Sequence, residues 1–276
     1  MRIMTLNCWG GRIHGPFTDF LQSVDADVYC LQEVFDMPAR HGFFSDETDS
    51  ENFHRPKVCS YLFEMIGALL PNHRGFMHHA CRWELADRED NRKVPCYFGI
   101  ATFVRKKIPI FGHRADFVFE EYRNIPQIEK PTPRIMHALR VCDPHTGRPL
   151  VVAHMHGLWI PEGKHSTPER MRQAALFGQY ISDLTREGDG VVACGDFNIL
   201  PDDPSFDLWK ATNNLHDLIG PAFSGTRTHY YYNDPKKKGL PLFADYMLVS
   251  PQVRVEKVDV LYNDVVSDHC PITLEF

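Results

Sequence analysis

The sequence has no apolar run of membrane-spanning length, no Cys-x-x-Cys pair, no internal repeat and no low-complexity segment. Without a long apolar run, a membrane-embedded protein is not expected. The chain passes within a few residues of its start into polar sequence, unlike a secretory signal peptide, so we expect a cytoplasmic protein. Because no convincing linker divides the chain, the sequence predicts one domain spanning residues 1–276.

The eight cysteines are scattered along the chain, and several lie inside apolar runs typical of strands. There a thiol serves as a small apolar filler, so we expect reduced cysteines. The run His78-His79-x-Cys81 contains residue types that bind zinc. A second ligand cluster at the spacing of a structural zinc site is missing, so zinc is not the favoured interpretation of this run.

Basic residues are not in excess either, since the formal net charge is -6 at pH 7. This balance argues against a protein that holds nucleic acid by bulk electrostatic attraction. It leaves room for a local basic groove, and it suits a chain whose carboxylates bind cations.

The hydrophobic pattern predicts helices spaced between strands, with more strand than helix. Strand-like runs lie at residues 2–8, 27–33, 98–104, 135–141, 150–155, 190–196, 242–249, 255–261 and 271–276. Helical patterns lie at residues 16–24, 58–70, 167–188 and 203–209. We expect loops at residues 36–56, an irregular stretch with a solvated charged tract at 71–96, and a flap over a site at 112–134. This pattern suits packed sheets covered by helices.

Polar side chains follow several of these strands. Asp196 and Asn198 come two residues apart at the end of the run that begins at Gly190, so they can face one substrate from the same side. The carboxylate could hold or deprotonate a water, and the amide could donate to a phosphate oxygen. Taken alone, Gly-Asp-x-Asn is better explained as an Asx turn leaving a strand.

The other polar signals at strand ends each have an ordinary structural explanation when taken singly. They are Asn7, Glu33, His156, Asp245, Asp268 and His269. A strand, helix and strand at the start of the chain suggest a parallel pair, which would bring Asn7 close to Glu33.

Taken together and in this order, the segments around these residues resemble the endonuclease/exonuclease/phosphatase superfamily, the DNase I-like and exonuclease III-like phosphodiesterases. The segments are Leu6-Asn7, Leu31-Gln32-Glu33-Val34, His156-Gly157-Leu158-Trp159, Gly195-Asp196-Phe197-Asn198, Ala244-Asp245-Tyr246 and Ser267-Asp268-His269-x-Pro271. Only residues 36–96 and 106–134 have no counterpart. The resemblance implies an α+β fold, a four-layer α/β/β/α sandwich of two packed, mainly antiparallel sheets flanked by helices.

The resemblance also implies a hydrolase that cleaves phosphodiester bonds with Mg²⁺ or Mn²⁺ as its cofactor. Glu33 would be the principal metal ligand, with Asn7 and Asp268 close to the metal or the phosphate. Oxygen ligands of this kind select hard cations over zinc.

The remaining motif residues would carry the chemistry. By resemblance, Asp196 would orient or deprotonate the attacking water, and Asn198 would hold that water or the phosphate. His269 would donate to the phosphate or act as acid and base, with Asp245 fixing its tautomer. His156 would be a second phosphate contact.

Four further residues are weaker candidates for substrate binding. His154 stands where related sequences more often have Asn, and we favour a packed imidazole over a second phosphate contact. Arg134 could reach a phosphate, or it could be an ordinary surface guanidinium. Tyr231 and Lys237 belong to the segment 228–239, which interleaves aromatics with lysines. Such a segment could bind a nucleic-acid strand, or it could be a hairpin tip that lysines keep soluble.

These observations favour a nuclease that acts on DNA or RNA, so the expected partner is nucleic acid or another phosphodiester. The alternative is a phosphoesterase acting on a small molecule or a lipid head group. A binding protein that keeps the fold without the chemistry is less favoured, because such a relative should have lost part of the polar set and none of it is missing here.

Overall fold

A computed structural model describes residues 1–37, 42–44, 57–86, 93–125 and 131–276. Its strands are β1 (Arg2–Asn7), β2 (Val28–Asp36), β3 (Phe43–Phe44), β4 (Val58–Cys59), β5 (His73–Ala86), β6 (Lys93–Arg105), β7 (Ile110–Phe119), β8 (Arg123–Asn124), β9 (Arg134–Cys142), β10 (Pro149–His156), β11 (Gly190–Asp196), β12 (His216–Asp217), β13 (Asp245–Val249), β14 (Lys257–Val260) and β15 (Ile272–Glu275). Its α-helices are α1 (His14–Ser23), α2 (Leu62–Leu69), α3 (Pro168–Leu184), α4 (Ser205–Asn213) and α5 (His229–Tyr232).

Two large sheets contain most of the strands. The first has seven strands in the order β14-β15-β1-β2-β6-β5-β8, and the second has six in the order β12-β13-β11-β10-β9-β7. Most neighbours are antiparallel, but β1 pairs with β2, β10 with β11, and the short edge strand β8 with β5, in parallel. The pairs β1–β2 and β10–β11 lie at the middle of their sheets, so strand ends from both sheets can meet at one edge.

Successive side chains of β1 point to opposite faces of the first sheet, and this shows how the layers form. Ile3 belongs to the core between the two sheets, while Met4 and Leu6 point the other way and pack with Phe17 of α1 and Leu62 of α2.

On the outer face of the second sheet, Phe177 of α3 and Trp209 of α4 complete the large core. The layers are therefore helices, sheet, sheet and helices. The predicted α+β sandwich is confirmed.

The expectation of an irregular stretch at residues 71–96 is wrong for the described part of that stretch. β5 and β6 form a long antiparallel pair there, from His73 opposite Arg105 to Ala86 opposite Lys93. Many residues of β5 are charged, histidine or only partly buried, and this obscured the period-two alternation. Of the charged tract predicted at 87–93, residues 87–92 lie outside the described residues, and Lys93 begins β6.

The predicted flap at residues 112–134 is also wrong over its first part, because β7 is the edge strand of the second sheet. One side of β7 pairs with β9, and its residues are mostly half buried, so the sequence shows no clean alternation. Residues 126–130 lie outside the described residues.

Smaller corrections concern the neighbouring segments. Within the loop predicted at 36–56, Phe43–Phe44 forms a short sheet with β4, while residues 38–41 and 45–56 lie outside the described residues. The helix predicted at 58–70 begins only at Leu62. The other predicted elements are observed with ends shifted by a few residues.

The eight cysteines are all unpaired. In the run considered for zinc, His79 instead places Nε2 3.1 Å from Asp36 Oδ2, and Cys81 is buried in a cluster of apolar side chains. Within the described residues, no helix is both long and apolar enough to cross a membrane.

Candidate functional site

The polar strand ends of both sheets converge at one edge of the sandwich. Asn7 ends β1 next to Gln32 of β2 in the first sheet. In the second sheet, Asp196 at the end of β11 lies between His156 of β10 and Asp245 of β13. Because β11 packs against β1 and β2, these residues face one another across the two sheets.

Glu33 reaches this edge through a β-bulge. Gln32 pairs with Ile100 and Val34 with Gly99, so Glu33 is an extra residue in β2, and its φ is +54°. In a regular strand, Glu33 would point to the face opposite that of Gln32. The bulge turns its carboxylate towards the site, which is a frequent use of bulges near active sites.

Asn7 connects two of the carboxylates. Its Nδ2 donates to Glu33 Oε1 at 3.1 Å and to Asp196 Oδ2 at 2.9 Å. Its Oδ1 accepts from the backbone nitrogen of Trp9 at 3.0 Å. The amide nitrogen of Asn7, rather than its oxygen, therefore faces the carboxylates.

The turn after β11 fixes Asn198. Its backbone nitrogen donates to Asp196 Oδ1 at 3.1 Å, as in an Asx turn, and its φ is +55°. Its Nδ2 donates to the carbonyl of Gly157 at 3.3 Å. Asn198 Oδ1 is buried with no hydrogen-bond partner among the described residues. Asp196 and Asn198 therefore form an Asx turn and also belong to the polar site.

His269 and Asp245 form a buried pair. His269 Nδ1 lies 2.9 and 2.8 Å from the two carboxylate oxygens of Asp245, and Thr226 Oγ1 donates to Asp245 Oδ2 at 2.7 Å. His269 Nε2 lies 3.7 Å from Asp196 Oδ2 and 3.8 Å from Asp268 Oδ1. With Nδ1 held by Asp245, Nε2 is the nitrogen that faces the site.

Asp268 is surrounded by positive charge. Arg227 Nη1 lies 3.3 Å from its Oδ2 and also contacts His269 Nε2, and Lys237 Nζ lies 3.4 Å from the same Oδ2. Burial raises the pKa of Asp268, but the opposing effects of His269, Lys237 and Arg227 prevail and hold it below its usual range.

Tyr231 supports these two cations. The Arg227 guanidinium and the Lys237 ammonium each lie 4.4 Å from the centre of its ring. Tyr231 is only 6% exposed, so its ring is occupied by the protein's own cations.

Arg134 and His156 form another side of the site. Arg134 is 6% exposed, so the alternative of a surface guanidinium is wrong. Its Nη1 lies 3.0 and 3.1 Å from the ring nitrogens of His156, and His156 Nε2 lies 3.7 Å from Asp196 Oδ2. Burial, and then the charge of Arg134, lower the pKa of His156, which favours a neutral ring.

His154 lies outside this group, in the interior between the sheets. Its Nδ1 is 3.1 Å from Gln32 Nε2, and its Nε2 is 2.8 Å from Thr102 Oγ1. Burial lowers the pKa of His154 to about 3. These contacts describe the packed neutral imidazole that the sequence favoured.

The carboxylates offer oxygen ligands for a divalent cation. Burial, and next the charge of Asp268, raise the pKa of Glu33, while the bond from Asn7 opposes this. The side chain of Glu33 is partly exposed, whereas Asp268 is buried and its Oδ1 has no hydrogen-bond partner among the described residues. Two carboxylates at one edge of the sandwich, one of them with this free oxygen, fit a hard cation.

A second arrangement of possible ligands overlaps this one. Asp196, Asp245 and His269 offer ligand atoms within 4.8 Å of one another. However, His269 Nδ1 and the Asp245 carboxylate already bind each other, so Glu33 and Asp268 are the better ligands.

Arg227 and Lys164 are site residues that the sequence did not reveal. Arg227 stands between two threonines, a pattern equally typical of an exposed loop. Lys164 lies in the loop after β10, where one lysine among polar residues gives no signal of burial.

Comparisons with known proteins agree with this fold. A sequence profile of the Endonuclease/Exonuclease/phosphatase family matches residues 4–269. No curated protein sequence matches the chain. Among solved structures, an endonuclease/exonuclease/phosphatase from Bacteroides vulgatus is similar with a TM-score of 0.65 and 18% identity, covering 99% of this chain and 97% of the other.

Two other solved structures have the same fold. The mannosyl-6-phosphatase of Bacteroides thetaiotaomicron is similar with a TM-score of 0.65 and 18% identity, covering 100% of this chain and 98% of the other. The human Nocturnin catalytic domain with a bound sulfate anion is similar with a TM-score of 0.59 and 17% identity, covering 99% of this chain and 93% of the other.

Proposed function

Because the chain belongs to the endonuclease/exonuclease/phosphatase family, we propose that it hydrolyses phosphoester bonds and depends on a divalent cation, Mg²⁺ or Mn²⁺. The observation that carries this proposal is the convergence of Glu33, Asp196 and Asp268 with the Asp245–His269 pair at one edge of the sandwich. Carboxylates, a correctly oriented imidazole and buried guanidinium groups are the components that phosphoryl transfer requires.

Glu33 and Asp268 would hold the cation through their carboxylate oxygens. When bound, such a cation neutralises charge on the phosphate oxygens and lowers the pKa of a bound water. Asn7 would position Glu33 and Asp196 relative to each other through its two hydrogen bonds. The pKa of Asp268, held low by its cationic neighbours, keeps this carboxylate charged as a ligand.

Asp196 and Asn198 would position the attacking water. Asp196 Oδ2 faces the site and would accept a proton from the water. Asn198 Oδ1, buried and unpartnered among the described residues, is available to accept the other water hydrogen.

His269, His156 and the two arginines would bind the phosphate. His269 Nε2 would donate to a phosphate oxygen or to the leaving oxygen, with Asp245 stabilising the protonated ring. Arg227 and Arg134 would neutralise the non-bridging oxygens, and His156 would contribute a further polar contact.

Two substrate classes remain candidates. A nucleic-acid strand, DNA or RNA, is favoured by the exposed face of the segment 228–239, where Tyr232 is 50% exposed and Lys236 and Lys238 are exposed too. A small phosphoester is favoured by the burial of Tyr231, which makes it unavailable to stack on a base, and by cations that point inward. One structural relative is named a mannosyl-6-phosphatase, and this makes a sugar phosphate worth testing.

The proposal is tested with purified protein and a panel of phosphoesters. The panel contains single- and double-stranded DNA, RNA, bis-p-nitrophenyl phosphate, p-nitrophenyl phosphate and mannose 6-phosphate, each with Mg²⁺, Mn²⁺ or EDTA. We expect hydrolysis that requires the cation. An absence of hydrolysis throughout the panel would contradict the proposed function.

A further inference from the structure

Lys164 is a buried lysine at the edge of the site. It is 8% exposed, although lysines are almost never fully buried without a partner. It belongs to the loop that leaves β10 directly after His156, and this loop ends at the first residue of α3.

The protein holds this loop in one conformation. Arg170 of α3 is buried, and it donates to the backbone carbonyls of His165, Leu158 and Gly163 at 2.6, 3.2 and 2.7 Å. Gln173 Oε1 accepts from the backbone nitrogen of Leu158 at 2.8 Å. These contacts fix the backbone on both sides of Lys164, so its side chain extends from a rigid base.

The ammonium group of Lys164 has capacity to spare. Among the described residues, it donates to one backbone carbonyl, that of Phe243, two residues before Asp245. An ammonium has three N–H donors, so two of them are available to a ligand.

The ammonium of Lys164 lies at the edge of the site, because the Phe243 carbonyl that it binds is two residues before Asp245. Burial, and next the charge of Arg227, lower the pKa of Lys164 to about 7, while Asp196, Asp245 and Asp268 oppose this. All four of these neighbours belong to the proposed catalytic machinery.

The formal charges of the side chains in the site indicate which class of substrate it suits. The site contains four carboxylates, Glu33, Asp196, Asp245 and Asp268, and four cationic side chains, Arg134, Lys164, Arg227 and Lys237. With Lys164 protonated and both site histidines neutral, these formal charges cancel, so a divalent cation adds two positive charges. A phosphate monoester dianion brings two negative charges, whereas a phosphodiester brings one.

We propose that Lys164 binds the phosphoryl group of the substrate and that, through it, the site selects a doubly charged phosphate monoester over a singly charged diester. This inference rests on the proposed function, since it names the substrate class of the same site. Lys164 would donate its two available N–H groups to phosphate oxygens.

The test compares p-nitrophenyl phosphate with bis-p-nitrophenyl phosphate. We expect the unsubstituted protein to hydrolyse the monoester with the higher kcat/KM. Lys164→Met should lower kcat/KM for the monoester by about ten- to a hundredfold, the usual effect of losing a hydrogen bond to a charged group, and change the diester much less. Lys164→Arg should restore part of the monoester activity.

Lys106→Met is the matched control. The Lys106 ammonium also donates to one backbone carbonyl, that of Pro71 at 2.8 Å, but it is exposed. The control should leave both activities unchanged.

A second readout does not depend on turnover. In EDTA, inorganic phosphate should raise the Tm of the unsubstituted protein and of Lys106→Met more than that of Lys164→Met. If Lys164→Met does not fold, phosphate should still protect Lys164, and not Lys106, from acylation in the unsubstituted protein.

The outcomes separate this inference from the proposed function. Preference for the diester, an equal loss on both esters in Lys164→Met, or acylation of Lys164 that phosphate does not reduce would overturn the role of Lys164 while leaving phosphoester hydrolysis intact. Failure to hydrolyse either ester with any cation would instead contradict the proposed function.

Discussion

At the scale of single residues, the site is built so that one atom of each reactive side chain is fixed while another faces the site. Asp245 holds His269 Nδ1, so Nε2 faces the site, where it contacts Arg227 Nη1. The backbone of Asn198 holds Asp196 Oδ1, while Asp196 Oδ2 faces Asn7 and the two site histidines. Fixing one atom in this way reduces the reorganisation needed during the reaction.

Asp245→Asn tests the orientation of His269. The amide cannot stabilise a charged imidazole and can present its NH₂ group to Nδ1, so we expect kcat to fall by about a hundredfold to ten-thousandfold. Steady-state kinetics on the best phosphoester substrate measure this loss. Asp259→Asn, at an ion pair with Lys257 on β14, is the control and should keep its activity. Activity within a few-fold of the unsubstituted protein in Asp245→Asn would exclude the proposed role of the pair.

Single-residue prediction from the sequence succeeded where a motif marked the position. The structure brings Asn7, Glu33, Asp196, Asp268 and His269 together at one edge, although their roles stay proposals. Arg227 and Lys164 were missed because their burial depends on which loops fold over the site, and this is set by contacts distant in sequence. Tyr231 is a weaker candidate for substrate binding in the sequence, and in the structure it packs against two cations of the protein.

At the scale of elements, three of the five non-glycine residues with positive φ among the described residues lie at or beside the site. They are Trp9, Glu33 and Asn198, with φ of +48°, +54° and +55°. Such conformations are uncommon for residues with a side chain and are typically retained where the surroundings require them. Here they aim side chains that a regular strand or turn would point elsewhere.

Gly157→Ala tests how closely the turn after β10 must approach the turn after β11. A Cβ at Gly157 would lie 2.2 Å from the carbonyl oxygen of Phe197, which belongs to the rigid backbone. The strand ends must separate, so we expect a loss of about 1–3 kcal/mol in the free energy of unfolding, together with a loss of activity because Asn198 is displaced.

Urea denaturation and steady-state kinetics measure these two effects. Gly15→Ala is the control, since its added Cβ meets nothing within 4 Å and Gly15 lies in α1. Unchanged stability and activity in Gly157→Ala would show that the close approach is not required.

Prediction of the elements depended on their burial. β1, β2, β10 and β11 are buried on both faces, and their continuous apolar runs were recognised. β5 and β7 were not, because a half-exposed strand rich in His and Arg looks like a loop when its pairing partner is unknown.

At the scale of the whole molecule, the two sheets are joined by a buried polar chain as well as by apolar packing. His137 Nδ1 lies 2.7 Å from Thr102 Oγ1, which lies 2.8 Å from His154 Nε2, and His154 continues to Gln32. The imidazoles must stay neutral in this interior. Burial, and next the charge of His78, lower the pKa of His154 to about 3.

The buried hydrogen bonds of neutral His154 predict that the protein loses stability in mild acid. An unfolded histidine takes up a proton below about pH 6.5, whereas folded His154 does so only near its own lowered pKa. The folded state therefore loses stability as pH falls from 6.5 towards 3. Between pH 7 and pH 4, His154 should contribute a loss of roughly 3 kcal/mol in the free energy of unfolding.

Urea unfolding at a series of pH values measures this loss. His154→Gln removes the titrating group and keeps hydrogen-bonding capacity, so its stability should fall less steeply with acid. His145→Gln, in the exposed turn between β9 and β10, is the control. The same acid dependence in His154→Gln as in the unsubstituted protein would contradict the account.

The architecture was the most predictable property of the whole molecule. Motifs from the first strand to the last indicated the family, and the family implied the layered sandwich. A single domain over residues 1–276 and a cytoplasmic location stay predictions from the sequence. The substrate could not be derived from the motifs, because they surround the phosphate and not the group attached to it.

The measurement that tests the central claim most directly is cation-dependent phosphoester hydrolysis by the unsubstituted protein, Glu33→Gln and Glu64→Gln. Glu64 is exposed on α2, so the last variant is a matched control. We predict hydrolysis that requires Mg²⁺ or Mn²⁺, that EDTA abolishes, and that falls by at least about a hundredfold in Glu33→Gln only. Activity that persists in EDTA, or a Glu33→Gln variant as active as the Glu64→Gln variant, would contradict the assignment of this site.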